Sequence, residues 1–77
     1  METYERDRAI RYRIARGELP RRLERARMWG GHGSLRPCDI CDEKIVLSAV
    51  EYEVDLDDRT VILCVPCYLA WRGHCGR

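Results

Sequence analysis

The chain has 77 residues, no Phe and five Cys, and its formal net charge is +1. A chain this short forms at most one small domain and buries too little apolar surface to be stable on that account alone, so we expect a metal, disulfides or a partner to complete the fold. No apolar run approaches the roughly 18 residues of a membrane span. The charged start, METYERDRAIRYR, lacks the apolar block of a secretory signal. We therefore expect a cytoplasmic protein without membrane contact, in a reducing compartment where paired cysteines more often bind metal than form disulfides.

Charge is distributed unevenly along the chain. Residues 1–29 hold nine Arg and five acidic residues, whereas residues 30–77 hold five basic and eight acidic residues. The GGHGS segment between them has the composition of a flexible joint. The sequence therefore predicts a basic helical arm over 1–29, a glycine-rich joint over 30–36 and a cysteine-containing module over 37–77.

The arm is predicted to be helical. The segment YERDRAIRYRIAR contains good helix formers without an internal Gly or Pro, and Gly17 lies just past its end. A second short helix is predicted to begin near Pro20, since proline is tolerated at a first helical position. Neither helix is long enough to be stable alone in water. We therefore expect the arm to dock on the rest of the chain or on a partner.

A β-hairpin is predicted between the two cysteine pairs. Residues 50–56 alternate between apolar and acidic side chains, which is the two-residue period of a half-exposed strand. The apolar face holds Val50, Tyr52, Val54 and Leu56, and the exposed face holds Glu51, Glu53 and Asp55. The DDR segment has turn chemistry, and TVILCV is sufficiently β-branched to be the return strand. The following segment, CYLAWR, is predicted to be a helix that ends at Gly73.

The spacing of four cysteines is the strongest signal in the sequence. The pairs Cys38-x-x-Cys41 and Cys64-x-x-Cys67 are separated by 22 residues. Two residues between thiols let one turn of chain direct both sulfur atoms to a common point. Two such turns supply the four thiolates that tetrahedral Zn²⁺ takes at about 2.3 Å. The intervening hairpin would carry the chain out and return it to the same place.

Other uses of these cysteines remain as alternatives. A redox CxxC pair needs a βαβ setting, for which no pattern is visible. Two disulfides would require export, and the odd number of cysteines counts against a disulfide framework. An iron–sulfur cluster favours more irregular loop than this hairpin provides. We therefore predict a Zn²⁺ site whose ligands are Cys38, Cys41, Cys64 and Cys67.

The order of turn, hairpin and helix resembles a treble-clef zinc finger. The run CDICDEKI, followed at this distance by a second pair and Tyr68, is similar to the first half of a LIM module, and GATA-type fingers share the general plan. The resemblance covers residues 37–72, and the second zinc site of a LIM domain is missing. Those families often have Gly where this chain has Asp42. The whole chain also resembles small bacterial single-finger proteins of unassigned role. The resemblance implies a small zinc-stabilised α+β fold, a treble-clef finger preceded by an N-terminal helical arm.

The resemblance also implies roles for residues around the metal. It places six residues in a small core beneath the site: Ile45, Val54, Val61, Leu63, Leu69 and Trp71. Tyr52 and Tyr68 are expected to pack there. His32, His74 and Cys75 are expected to be exposed residues. The alternative for His32 is contact with a metal or a phosphate, and the alternative for His74 and Cys75 is replacement of a metal ligand.

A closed shell of four cysteines indicates a structural metal, since a catalytic zinc keeps an open position for water. The chain contains no HExxH motif, Gly-rich phosphate loop or evident Ser–His–Asp set. We therefore expect a protein that is not an enzyme and that acts through macromolecular interaction. No sequence feature defines an oligomeric state.

Two kinds of partner are consistent with the sequence. The preferred hypothesis is a small regulatory or adaptor module that docks on a protein through its hairpin edge or helix surface, with the acidic strand face available to a basic partner. The alternative is a transcription-related finger that binds nucleic acid through its Arg-rich arm. In that case Arg21, Arg22 and Arg25 would contact phosphates, supported by Arg11 and Arg13.

Overall fold

Helix α1 spans Thr3–Ala15 in the computed structural model, which describes residues 1–75. The helix stops before Gly17, whose positive φ of 77° favours glycine, as the sequence predicts. Only Ile10 and Ile14 of α1 are buried, so its apolar stripe is narrow. The helix packs against α2, which spans Val65–His74. The arm therefore docks on the rest of the chain. Neither described helix has the length and apolar character needed to cross a bilayer.

Three antiparallel strands form one sheet in the order β1-β2-β3. The strands span Arg27–His32 (β1), Val50–Leu56 (β2) and Arg59–Cys64 (β3). The predicted hairpin is confirmed as β2 and β3, which pair from Glu51 opposite Cys64 to Leu56 opposite Arg59. The sheet and the two helices make a small α+β fold.

Residues 20–32 differ from the sequence prediction. The second helix is absent from this segment, which instead contains one 3₁₀ turn over Leu23–Arg25 and then strand β1. Gly30, Gly31 and His32 belong to β1 and pair with β2, so a flexible joint over 30–36 is wrong for these three residues. Glycine disfavours strands locally, but β2 offers unpaired backbone groups along one edge, and this tertiary pairing prevails. The division of the chain into arm, joint and finger stays a prediction.

Five of the six residues predicted to form the core are buried. Ile45, Val54, Val61, Leu63 and Trp71 are all buried, whereas Leu69 is 53% exposed on the outer face of α2. The rings of Tyr52 and Tyr68 stack with their centroids 3.8 Å apart. The indole N–H of Trp71 donates to the carbonyl oxygen of Pro20 at 2.9 Å. Helix α2 therefore also holds the segment that follows α1.

Glu51 is buried, so the prediction of an exposed acidic strand face is wrong at this residue. The Ser34 hydroxyl donates to one carboxylate oxygen of Glu51 at 2.7 Å, and the Arg36 guanidinium donates to the other at 2.6 Å. Burial acts to raise the pKa of Glu51, but the hydrogen bonds from Ser34 and Arg36 outweigh it and hold that pKa below its ordinary value. Arg36 also donates to Glu53 at 2.9 Å. The network fastens the segment before the first cysteine pair to the sheet.

Gly33 lies where two loops meet, and we expect Gly33→Ala to destabilise the protein. Its N–H donates to the Ala49 carbonyl oxygen at 2.9 Å, and a Cβ at this position would collide with the Val46 carbonyl oxygen. The cost is expected to be about 1–3 kcal/mol in the free energy of unfolding, because the backbone must shift. Urea denaturation of the metal-loaded protein measures it. Gly31→Ala is the control, since a Cβ there meets nothing within 4 Å. Equal effects of the two changes would refute the steric explanation.

Glu51→Gln is expected to lower the free energy of unfolding by about 1–3 kcal/mol, because it removes a buried charged acceptor from Arg36. Glu53→Gln is the control, since Glu53 is more exposed and makes only the outer contact with Arg36. The native pKa of Glu51 lies below its unfolded value of about 4.3, so its contribution is complete above that pH and is lost as pH falls through the native pKa. The difference from wild type should therefore be constant between about pH 6 and 8 in denaturant titrations. A difference that shrinks across that range would contradict the assignment.

Candidate metal centre

A tight turn holds the first cysteine pair. The N–H of Cys38 donates to the Glu43 carbonyl oxygen, and the N–H of Asp42 donates back to the Cys38 carbonyl oxygen, each at 2.9 Å. Pro37 and Lys44 form an isolated antiparallel bridge at the base of this turn. Asp42 has a positive φ of 63°, which Asp tolerates better than most residues. The turn folds back tightly enough for Cys38 and Cys41 to face one point.

The second pair lies where strand β3 passes into helix α2. Cys64 is the last residue of β3 and occupies the N-cap position of α2, and Cys67 is in the first turn of the helix. Pro66 also lies in this turn, where its missing N–H costs no helical hydrogen bond. The N-terminus of a helix carries partial positive charge and free N–H groups, so it stabilises thiolates.

Asp39 connects the first cysteine turn directly to β3. Its N–H donates to the Ile62 carbonyl oxygen at 2.8 Å, and the Ile62 N–H donates to its carboxylate at 2.6 Å. Because β3 is the last strand of the sheet, Asp39 covers its open edge. Ile62 is two residues before Cys64, so the clamp brings the first pair to the second. Arg13 of α1 also donates to the Asp39 carbonyl oxygen at 2.8 Å.

The four predicted cysteines meet at one point. The Sγ atoms of Cys38, Cys41, Cys64 and Cys67 all lie within 4.8 Å of one another, and those of Cys41 and Cys64 are 3.7 Å apart. A tetrahedral centre with metal–sulfur bonds of about 2.3 Å has sulfur–sulfur edges of about 3.8 Å. None of the five cysteines, all of which are among residues 1–75, forms a disulfide. The donor set and its spacing therefore fit one tetrahedral metal ion.

The thiols of this cluster require positive charge if all four are to ionise. Hydrogen bonding, above all from Cys67, lowers the pKa of Cys38 to about 4, and the Ile40 N–H also approaches the Cys38 sulfur at 3.4 Å. Burial raises the pKa of Cys64 to about 11. The pKa of Cys67 is raised as well, first because its thiol is engaged with the Cys38 sulfur. The cluster thus favours the thiolate of Cys38 and opposes ionisation of Cys64 and Cys67, and a bound divalent cation would offset that opposition.

Arg6 of α1 faces the cluster, which sequence analysis did not foresee. Hydrogen bonding to the Cys67 thiol, opposed by burial, raises the pKa of Arg6. The Nε atom is buried and has no hydrogen-bond partner among the described residues. The available signal was spacing: Arg6, Ile10 and Ile14 recur every four residues and so share one face of the helix. Arg36 and Asp39, which position the first pair, were also missed.

The arginines predicted to contact a partner are not gathered on one surface. Arg11 pairs with Asp7 at 3.3 Å, Arg13 with Glu18 at 3.5 Å and Arg22 with Glu24 at 3.6 Å. Arg21 and Arg25 are exposed and form no salt bridge within residues 1–75. Arg11 and Arg21 line a shallow cavity together with His74, whereas Arg25 lies in another cavity beside Asp55 and Asp57.

The two histidines and the fifth cysteine lie outside the cysteine cluster. His32 is exposed in β1, as predicted. His74 is not an exposed tail residue, because its ring Nε2 lies 2.5 Å from the Asp7 carboxylate of α1. Cys75 is partly buried and its Sγ lies 3.8 Å from the Pro20 carbonyl oxygen. His74 and Cys75 therefore both contribute to packing of the arm.

Comparison with protein families, with curated proteins and with solved structures gave no match to this chain. The cysteine cluster and its surroundings therefore carry the functional argument.

Cys64→Ser is expected to abolish tight metal binding and to unfold the cluster, because it removes one of the four converging sulfur atoms. Cys75→Ser is the matched control and should retain one metal ion per chain, since Cys75 lies outside the cluster. Cobalt titration with absorbance of the thiolate-to-metal transitions, together with metal content of the purified protein, measures both. Equal losses in the two variants would show that the ligand assignment is wrong.

Proposed function

We propose that the chain is a treble-clef zinc module in which Cys38, Cys41, Cys64 and Cys67 hold one structural Zn²⁺. The observation that carries the proposal is the convergence of the four Sγ atoms within 4.8 Å. The chain presents them in the order of that architecture: a tight turn, an antiparallel hairpin and a helix whose first turn carries the last ligand. Zn²⁺ is the expected ion because an all-thiolate tetrahedral shell suits it.

The proposed role of the ion is to hold the fold rather than to catalyse a reaction. Four protein thiolates leave no coordination position for a water or a substrate. Binding of structural zinc contributes roughly 10–16 kcal/mol of apparent free energy, which a chain with so small a core requires. A reducing compartment such as the cytoplasm keeps the ligands as thiols and thiolates. The activity of the module then resides on its surface.

A protein partner is supported by exposed aliphatic side chains next to the first cysteine turn. We name Leu35, Val46 and Leu47 the loop surface; their exposed fractions are 50%, 49% and 63%. Hydrogen bonding of the Leu35 N–H to the Ile45 carbonyl oxygen at 2.9 Å joins the two segments that carry it. Leu35 has a positive φ of 68°, which is costly for a bulky side chain. Strain and apolar exposure at one residue are typical of a binding surface.

Nucleic-acid binding remains the second candidate, and the cavity shared by Arg11, Arg21 and His74 favours it. Exposed arginines suit bidentate phosphate contacts. A protein partner is favoured over nucleic acid because Arg11, Arg13 and Arg22 are paired with acidic residues of the same chain.

The test uses the zinc-loaded full chain as bait and a Leu35→Lys, Leu47→Lys double variant as its matched control. We expect specific proteins to be captured by wild type in the presence of nuclease and to be lost with the variant, because the variant changes the loop surface and leaves the ligands intact. Equal zinc content and equal urea midpoints must be verified first. Capture that is unchanged by the variant would refute the loop surface as the docking site.

The nucleic-acid alternative is tested by binding to random duplex at low salt. Affinity that falls steeply with salt and is lost in the Arg21→Ala, Arg22→Ala, Arg25→Ala triple variant would favour it over a protein partner. No binding at low salt removes it. Metal analysis of the natively purified protein tests the zinc module itself, and less than one tightly bound ion per chain would overturn it.

A further inference from the structure

Arg6 is the charged residue on the α1 face that carries Ile10 and Ile14, and its side chain is partly buried. It lies one turn before Ile10 and two turns before Ile14, on the face that meets α2. A guanidinium stays charged at any physiological pH, and a buried charge is costly unless it is paired. The Nε of Arg6 is buried, and no described residue accepts a hydrogen bond from it.

Arg6 lines a cavity together with Pro66, the residue before Cys67, and its guanidinium interacts with the thiols of Cys67, Cys64 and Cys41. Neutral thiols are weak acceptors, and an empty cluster holds less negative charge than four thiolates. A divalent ion with four thiolates carries a formal charge of −2, so the loaded centre is an anion next to Arg6. The partly buried guanidinium thus matches the charge of the metal-loaded centre better than that of the empty one.

Beyond the pair of Asp7 with His74, helix α1 has few other contacts that hold it in place. Its 13 residues are at the margin of helix stability in water, and only Ile10 and Ile14 are buried. The ion pair of Arg11 with Asp7 is internal to the helix, and the outer contact of Arg13 is with the Asp39 carbonyl of the first cysteine turn. Two of the contacts that dock α1 therefore end on the metal centre or on the turn that forms it.

We infer that Arg6 is a positioning residue that couples metal occupancy to docking of α1, so that the basic arm is held on the module when the centre is loaded and released when it is empty. The inference rests on the proposed zinc site. Release of the arm would uncover Ile10 and Ile14 and would free Arg13 from Asp39, which changes the surface that a partner meets.

The experiment compares Arg6→Met with Arg8→Met in the full chain. Arg8 is exposed on the same helix and stands over the exposed Tyr4 ring, so its change is the matched control. Zinc affinity is measured by competition with a chromophoric chelator, and amide hydrogen exchange is measured separately for α1 and for the cysteine turns. We expect Arg6→Met to weaken zinc binding about 10–100-fold, as loss of an outer-shell partner does. At saturating zinc it should leave the cysteine turns protected and α1 exchanging freely.

The outcomes separate the inference from the proposed function. Failure of the wild-type chain to bind one zinc ion would overturn the zinc module. Normal zinc binding with α1 equally protected in Arg6→Met, or in zinc-free wild type, would overturn only the coupling. Arg6→Lys keeps the charge and covers the case in which Arg6→Met does not fold. Affinity close to that of wild type in Arg6→Lys supports an electrostatic role, and a loss as large as that of Arg6→Met refutes it.

Discussion

Convergence of two cysteine turns separated by 22 residues is the constraint on which the rest of the structure depends. The four sulfur atoms lie within 4.8 Å of one another, so a small change in the course of the chain between the two pairs would separate them. The β2–β3 hairpin supplies most of that path, because its register ends with Glu51 opposite Cys64. Asp39 then fastens the first turn to the edge of β3, and Gly33 lets the neighbouring loops approach. Each of these features acts on the same relative position of the two pairs.

In the structure, part of the uneven charge along the chain is used in contacts within the molecule. Two basic residues of the arm contact the acidic module: Arg6 interacts with the thiols, and Arg13 donates to the Asp39 carbonyl oxygen. One further contact joins an acidic residue of the arm, Asp7, to His74 of α2. A basic N-terminal segment is commonly interpreted as a nucleic-acid footprint. Here Arg6 and Arg13 help to hold α1 on the module, whereas Arg11 and Arg22 pair with acidic residues of the arm. Of the five arginines predicted to contact a partner, Arg21 and Arg25 form no salt bridge within residues 1–75.

Local patterns predicted those elements whose signals are local. The two-residue spacing of the thiols identified the cluster, strict alternation identified β2, and the segment before Gly17 identified α1. Strand β1 was missed because glycines at 30 and 31 have no strand propensity of their own and gain order only by pairing with β2. Glu51 obeyed the alternation but was covered by Ser34 and Arg36, which come from a loop whose path the sequence does not reveal.

A metal whose ligands would all be protein thiolates has no open position for another molecule. Binding of other molecules would therefore use the protein surface around the centre. Two surfaces, the loop surface and helix α1, are attached to the first cysteine turn. The loop surface of Leu35, Val46 and Leu47 is joined to the base of the first cysteine turn by the Ile45 N–H, which donates to the Arg36 carbonyl oxygen at 2.9 Å. Helix α1 meets that turn through Arg13 and the sulfur atoms through Arg6. Loss of order in the turn would therefore alter both surfaces together, so metal occupancy and partner binding are expected to be thermodynamically linked in this chain.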